Sequence, residues 1–348
     1  MMGAQATQRA LARHHSFELH MLYRQLGKTG LRISALSFGA GPVSTLMVGR
    51  DGERQVACVD HALRAGINWF DTAASYGDGQ SERNLGRALE ELGAGSQVHV
   101  ATKVRLTPDD LTDIQGAVRR SFEASLTRLR LPRIELLQLH NSITPVRGEE
   151  PTSVTPADVL GTGGIAQVMN ELRNDGLVAH VGLTGIGQPA ALREVVRSGE
   201  FETMQVPYHL LNPSAGRELP PTFSETNYGN IIADCAEMGV GVLAIRVLAG
   251  GALLGNPPSP HTFKTPFFPL ALYERDRKRA AKLQDALGSE RNLQQEAIRF
   301  AIQHPSISSA IVGFAEPWQI DEAVAALAAN REPVDWGAVL SADLAAEG

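Results

Sequence analysis

Four side chains in the first 140 positions can move a proton or hold a charge, and each stands at or just past the end of an apolar run. Asp71 lies in "INWFDTA", and Tyr76 follows on "ASYGDG". Lys103 lies in "VHVATKV", and His140 closes "IELLQLH". A phenol titrates near about 10, too high for ready proton exchange at neutral pH. A neighbouring ammonium stabilises a phenolate. A carboxylate can hold that ammonium in place and keep it charged. Imidazole can orient a substrate oxygen or assist proton transfer. The set therefore suits a general acid beside a polarised carbonyl, as hydride transfer needs, because an alkoxide develops in the transition state. No side chain supplies a hydride, so such chemistry requires an organic cofactor. Singly, each residue has a plainer reading: Asp71 a turn cap, Tyr76 a rim aromatic, Lys103 a surface lysine, His140 a structural histidine. Their joint placement on consecutive strands argues for a site.

The elements that must position them alternate along the chain. Short β-branched or apolar runs predict strands at "ISALSFG", "INWFDTA", "VHVATKV", "IELLQLH", "VAHVGLTG", "TMQVPYH", "VGVLAIRV" and "SSAIVGF". Amphipathic stretches such as "ERQVACVDHALRAG", "SERNLGRALEEL", "IQGAVRRSFEASLTRLRL" and "LQQEAIRFAIQHP" lie between them. Alternation of this kind implies a parallel sheet. Eight repeats without a linker favour an α/β fold of the closed (β/α)8 TIM-barrel type, with its chemistry at the C-terminal strand ends. A doubly wound sheet is the alternative, but "GAGPVS" after the first strand is not the G-x-G-x-x-G turn such a fold carries. "YRQLGKTGLRIS" reads as an N-terminal hairpin able to plug the barrel floor. The connections Ser142–Thr162 and Ala249–Leu270 are too long for plain turns and are expected to shape a substrate pocket.

The composition is that of a globular chain: 348 residues, 43% hydrophobic, 20% charged, formal net charge -6. Lysine and arginine are scattered, which disfavours nucleic-acid binding. No run approaches the roughly 20 apolar residues of a membrane span. The cysteines, Cys58 and Cys235, have no metal-ligand spacing, and a reduced cytoplasmic setting is expected. Residues 1–21 are expected to be a disordered tail, 22–335 one barrel domain and 336–348 a C-terminal tail. His14, His15 and His20 fall in the first tail and are not read as a metal cluster. Met21, just before "LYRQLGKTG", is an alternative start.

Asp71, Tyr76, Lys103 and His140 together resemble the tetrad of the aldo-keto reductases. "YRQLGKTGLRISALSFGAG" is similar to that family's opening, and "INWFDTAASYGDGQSERNLGRAL" to its most diagnostic segment. The resemblance implies Tyr76 as proton donor or acceptor, tuned by Lys103 and Asp71, with His140 positioning the carbonyl. It implies an NAD or NADP cofactor extended over the barrel mouth, and a small carbonyl, alcohol or sugar substrate. The cofactor positions correspond to Gly41, Thr184, Gln205, Arg246, Leu248, Gly250, Gly313, Gln319 and Glu322. The match is looser here. Thr184-Gly185 replaces a common Ser-Asn, and Ile245-Arg246-Val247-Leu248 replaces an aromatic followed by Ser-Pro-Leu. Arg246 suits a pyrophosphate. Gly313 and Gln319 stand where NADPH-preferring members carry a lysine and an arginine, which leans toward NAD. "GLTGIG" and the helix before it are similar to a branch of sugar dehydrogenases. The alternative is a non-catalytic nucleotide-sensing subunit like the potassium-channel β subunits. A metal-dependent barrel hydrolase would need more His and carboxylate ligands at strand ends than His140 and Asp71.

Overall fold

A computed structural model of the chain describes residues 21–328, apart from 222 and 224, together with 334 and 336. Strands β1 (Tyr23–Gln25) and β2 (Arg32–Ser34) pair antiparallel. Eight more follow: β3 (Leu36–Gly39), β4 (Trp69–Asp71), β5 (His99–Val104), β6 (Ile134–Leu139), β7 (Val178–Thr184), β8 (Thr203–Pro207), β9 (Gly241–Ile245) and β10 (Ile307–Gly313). They form a closed parallel barrel, sealed where β10 meets β3 with Val312 opposite Phe38. That closure excludes the doubly wound alternative.

The outer helices are α1 (Gly52–Arg64), α2 (Gln80–Glu91), α3 (Ile114–Leu129), α4 (Pro156–Leu160), α5 (Ile165–Asn174), α6 (Pro189–Arg197), α7 (Ile231–Glu237), α8 (Leu270–Leu287), α9 (Leu293–Gln303) and α10 (Pro317–Ala328). Two of them depart from simple alternation. The Ser142–Thr162 connection contains α4, started by a capping box in which Thr155 and Asp158 satisfy each other's backbone. After the Ala249–Leu270 connection comes α8, an extra helix that precedes α9 with no strand between them.

Strand parity decides what lines the barrel, because alternate side chains point to opposite faces. Val100, Leu137, Leu139, Val181 and Leu183 point outward and join the main core beneath the helices. Trp69, Ala101, Leu136 and Leu243 point inward and form a floor layer closed by Leu26 and Ile33 of the hairpin. The hairpin is pinned there by Lys28 N–H donating to the Gly239 carbonyl at 2.7 Å. One step up the same inward rows stand Asp71, Lys103 and Gln138. The next step brings His140 to the mouth.

Trp336 packs edge-on against Phe300, so the packed body reaches at least that residue. The histidines at 14, 15 and 20, and the tails before 21 and after 336, lie outside the described residues. Among the described residues no helix is long and apolar enough to cross a membrane, and no cluster of His, Cys, Asp or Glu could hold a metal.

Candidate active site

The segment from β4 into α2 is built to hold a tyrosine over the mouth. The Thr72 N–H donates to the Ala101 carbonyl at 2.9 Å, extending the β4–β5 pairing one residue past Asp71. The chain then turns through Gly77, Asp78 and Gly79, all with positive φ. Ser81, in the first turn of α2, shares a 2.7 Å hydrogen bond with Thr72 and donates to the Ala40 carbonyl at 2.7 Å. The next residue, Glu82, is fully buried, accepts from Thr102 at 2.5 Å and pairs with Arg128 at 2.5 Å. Asn84 donates to the Met47 and Gly49 carbonyls. These bonds tie β3, β4, β5, α2 and α3 together behind the loop that carries Tyr76.

The four expected residues converge. Lys103 Nζ lies 2.5 Å from Asp71 Oδ1, donates to the Thr72 carbonyl at 2.7 Å and reaches the Tyr76 hydroxyl at 3.4 Å. Asp71 Oδ2 accepts from Gln205 Nε2 and, at 3.4 Å, from Gln138 Nε2. The His140 ring meets the Tyr76 ring edge-on, with centroids 5.6 Å apart. Burial alone would strip the Lys103 charge, but Asp71 and then Tyr76 outweigh it and hold the ammonium above the ordinary lysine value. Burial, helped by Arg105 and Lys103, pushes His140 well below the ordinary imidazole value. His140 is thus neutral at pH 7. Its Nδ1 lies 3.3 Å from the Ser75 hydroxyl, and if that hydroxyl is the donor, Nε2 carries the proton.

The cofactor positions divide into three groups. Gly41 lies against Tyr76, where an added Cβ would sit 3.7 Å from the ring. Thr184 Oγ1 donates to the Leu139 carbonyl at 3.1 Å, and Gln205 turns its amide nitrogen to Asp71. Both therefore offer oxygens that accept, which matches the N–H donors of a carboxamide. Gly185 is closely packed: a Cβ there would come 2.4 Å from the Met204 methyl, which would have to turn aside, and 3.1 Å from the Gln205 carbonyl.

Arg246, just past β9, has φ of 56° and stacks its guanidinium on Phe268 at 3.6 Å. It makes no salt bridge among the described residues. Burial lowers its hold on the proton, opposed in part by Tyr228 and Asp276 from a distance. Leu248, Gly250 and Gly251 follow on the same loop, the glycines with φ of 69° and 103°. A Cβ on Gly250 would reach 3.3 Å from the guanidinium.

Gly313 ends β10, and Gln319 and Glu322 lie in α10. Gly313 is exposed beside Ser44. Gln319 is an internal cap: its Oε1 accepts from the Ala315 and Glu316 backbone N–H groups at 2.7 and 3.1 Å. Glu322 is partly buried. The groups of charge here are Glu316 and Arg54, which form a salt bridge, with Arg54 also donating to the Ala315 carbonyl at 3.0 Å.

Sequence reasoning missed Gln138 and Arg105. Both lie on the inward parity of strands already recognised, so counting in twos from Lys103 and His140 could have found them. It also missed Phe267 and Phe268, whose contacts on Arg105 and Arg246 come from tertiary folding of a long loop.

Comparison with known proteins bears on this site. The aldo/keto reductase family model matches residues 35–342. The chain is 28% identical to L-galactose dehydrogenase of Arabidopsis thaliana, over 87% of each chain. It is 28% identical to D-threo-aldose 1-dehydrogenase of a Pseudomonas species, over 84% of this chain and 89% of the relative. It is also 27% identical to a putative voltage-gated potassium channel subunit beta of Schizosaccharomyces pombe, over 91% of each. The holo form of aldo-keto reductase AKR11C1 from Bacillus halodurans has a similar fold, with a TM-score of 0.68 at 21% identity, covering 93% of this chain and 96% of that one.

Proposed function

Since the chain belongs to the aldo/keto reductase family, we propose that it interconverts a small carbonyl compound and its alcohol with NAD(H) or NADP(H), acting on a sugar or a simple aldehyde or ketone. One observation carries the reading: a buried Lys103–Asp71 pair stands 3.4 Å from the Tyr76 hydroxyl at the barrel mouth.

The residues fit a dinucleotide. Arg246 is a desolvated guanidinium without a carboxylate beside it, on a loop whose glycines let a ligand approach the backbone. It would meet the pyrophosphate, with Leu248 and Gly250 beside it. Thr184 and Gln205 would accept from the carboxamide. A nicotinamide held there would supply the hydride for reduction and accept it in oxidation. In reduction, Tyr76 gives its proton to the carbonyl oxygen. Lys103 steadies the phenolate left behind, and Asp71 keeps Lys103 charged and aimed. Neutral His140 orients the substrate oxygen by hydrogen bonding. These donors are fixed before reaction, so little reorganisation is needed as charge develops on that oxygen.

The test is to follow reduced-nicotinamide absorbance with panels of aldoses, aldehydes and ketones, and of their alcohols, using both cofactors. The channel-subunit relative favours a second reading, nucleotide sensing without turnover. Tight cofactor binding with no turnover of any panel member would support that reading and sink the first.

A further inference from the structure

We propose that Arg105 is a substrate-binding residue, and that the carbonyl compound turned over by this enzyme carries a carboxylate. This rests on the oxidoreductase reading above and narrows its substrate class.

Arg105 follows Lys103 by two residues and continues the inward row Ala101, Lys103. It therefore stands directly above the catalytic ammonium. Its guanidinium reaches the His140 carbonyl only at 3.3 and 3.4 Å, long for such bonds. Its other neighbour is the Phe267 ring, 5.2 Å from the guanidinium carbon. It forms no salt bridge with any described residue. Burial works against its charge, and the one group that favours that charge is Tyr76.

Two positive groups, Lys103 and Arg105, thus share one corner, and a single internal carboxylate, Asp71, serves only the first. A desolvated cation is stable when paired, and a planar guanidinium matches a carboxylate with two parallel N–H donors. Arg105 is also not on the loop read above as the pyrophosphate site. Arg246 lies on β9's exit and Arg105 on β5's, across the barrel in the order β5-β6-β7-β8-β9. The loop from β9 spans the gap: Phe268 covers Arg246, Phe267 covers Arg105, and His261 senses both arginines. Arg246 and Arg105 thus leave different strands and come under one loop, and Arg105 is the one beside the proton donor. One guanidinium balances a carboxylate monoanion, whereas a phosphate dianion would call for more cations than Arg105 alone.

The experiment compares matched substrates that differ only in the acid group: 4-oxobutanoate against butanal, and 5-oxopentanoate against pentanal, with saturating reduced cofactor. Wild type should favour the oxo acid by about 10- to 100-fold in kcat/KM. Arg105→Gln should collapse that ratio, and Arg105→Lys should keep part of it. The ratio cancels any effect on the common chemical step. In parallel, succinate should bind calorimetrically to wild type loaded with oxidised cofactor and not to Arg105→Gln. Phe267→Leu, which removes the ring over Arg105, should lower the ratio less than Arg105→Gln does.

Equal or better use of the neutral aldehydes by wild type overturns the inference and leaves the oxidoreductase reading intact. Absence of turnover with any carbonyl refutes that reading instead, and succinate binding then decides the anion site alone: binding dependent on Arg105 upholds it, none overturns it.

Discussion

Replacing Tyr76 with phenylalanine should separate chemistry from folding. The ring would keep its place against Gly41 and its edge contact with His140. Only the hydroxyl is lost, and its one protein partner is Lys103 Nζ at 3.4 Å, at the long end of hydrogen bonding. The stability change should therefore stay within about 1 kcal/mol. Lys103 keeps Asp71 and the Thr72 carbonyl, so the buried pair survives. The chemical step is another matter. General acid catalysis contributes roughly 10²–10⁴-fold, equivalent to about 3–5 kcal/mol of barrier. The assay is single-turnover stopped flow with cofactor and carbonyl both saturating, so that product release does not mask the step. Cofactor affinity by fluorescence titration and a thermal melt complete it. We expect a rate loss of at least about 100-fold, affinity within a few-fold of wild type and a nearly unchanged melt. A single-turnover rate close to wild type would refute the assignment of Tyr76 as proton donor. A large rate loss that tracked a collapsed melt would refute the argument that the hydroxyl is structurally idle.

Lys103→Met should lower both activity and stability, the latter by about 3–5 kcal/mol in urea unfolding, because Asp71 is left buried with only Gln205 and Gln138. Adding Asp71→Asn should restore part of the stability and none of the activity. Acid should weaken the fold through His140 and through His209, which burial, aided by Arg246, pushes down to about 3. The unfolded state binds these protons more readily, so stability is complete above about pH 6.5 and falls as pH drops toward the folded values. From pH 7 to 5 the loss through His209 should be about 2 kcal/mol, and His209→Gln should remove it in paired unfolding curves. Glu316→Gln should shift cofactor preference toward NADP(H) in kcat/KM at fixed ionic strength, by releasing Arg54 from its carboxylate. No shift would place the 2′-phosphate region elsewhere. Gln319→Arg is a poor route to the same end, since it removes the acceptor that caps α10.

The tetrad was legible because its residues break the apolar pattern of strands whose period is two. Asp71, Lys103 and His140 each stand at the top of a recognisable run, and Gly77 and Gly79 announce the turn beside Tyr76. The eight barrel strands and the hairpin were readable for the same reason. Where the chain stops alternating, the sequence became a weaker guide. "LALYERDRKRAAKLQDAL" is dominated by charge, yet α8 buries Asp276 and Arg279 as well as Tyr273 and Leu283. Apolar spacing alone under-reports such a face. Gln319 shows another limit of spacing. Its position was identified, but whether a glutamine there meets a ligand or caps its own helix depends on a side-chain rotamer that spacing does not encode. Arg105 was overlooked because an arginine after a strand reads as a rim residue until its lack of a carboxylate is seen in three dimensions.

That lack sets the mouth apart from the rest of the protein. Elsewhere, shielded guanidinium groups are matched internally: Arg128 by Glu82, Arg193 by Asp234, Arg279 by Glu225, and Arg24 by the Ile302 and Ile307 carbonyls. Among the described residues Arg246 is matched by an aromatic face, and Arg105 by an aromatic face and two long bonds to the His140 carbonyl, and neither has a carboxylate. A cation–π contact contributes about 0.5–2 kcal/mol, less than a desolvated charge costs when left unpaired. Both exceptions lie beneath the same loop, one on each side of the barrel opening. The free protein is therefore under-neutralised at the place where an anionic cofactor and a substrate would meet. Anions that fill those places bind the native state alone, so each adds stability in proportion to RT ln(1 + [L]/Kd). The two arginines that leave the mouth under-neutralised are thus the groups through which bound anions would add stability.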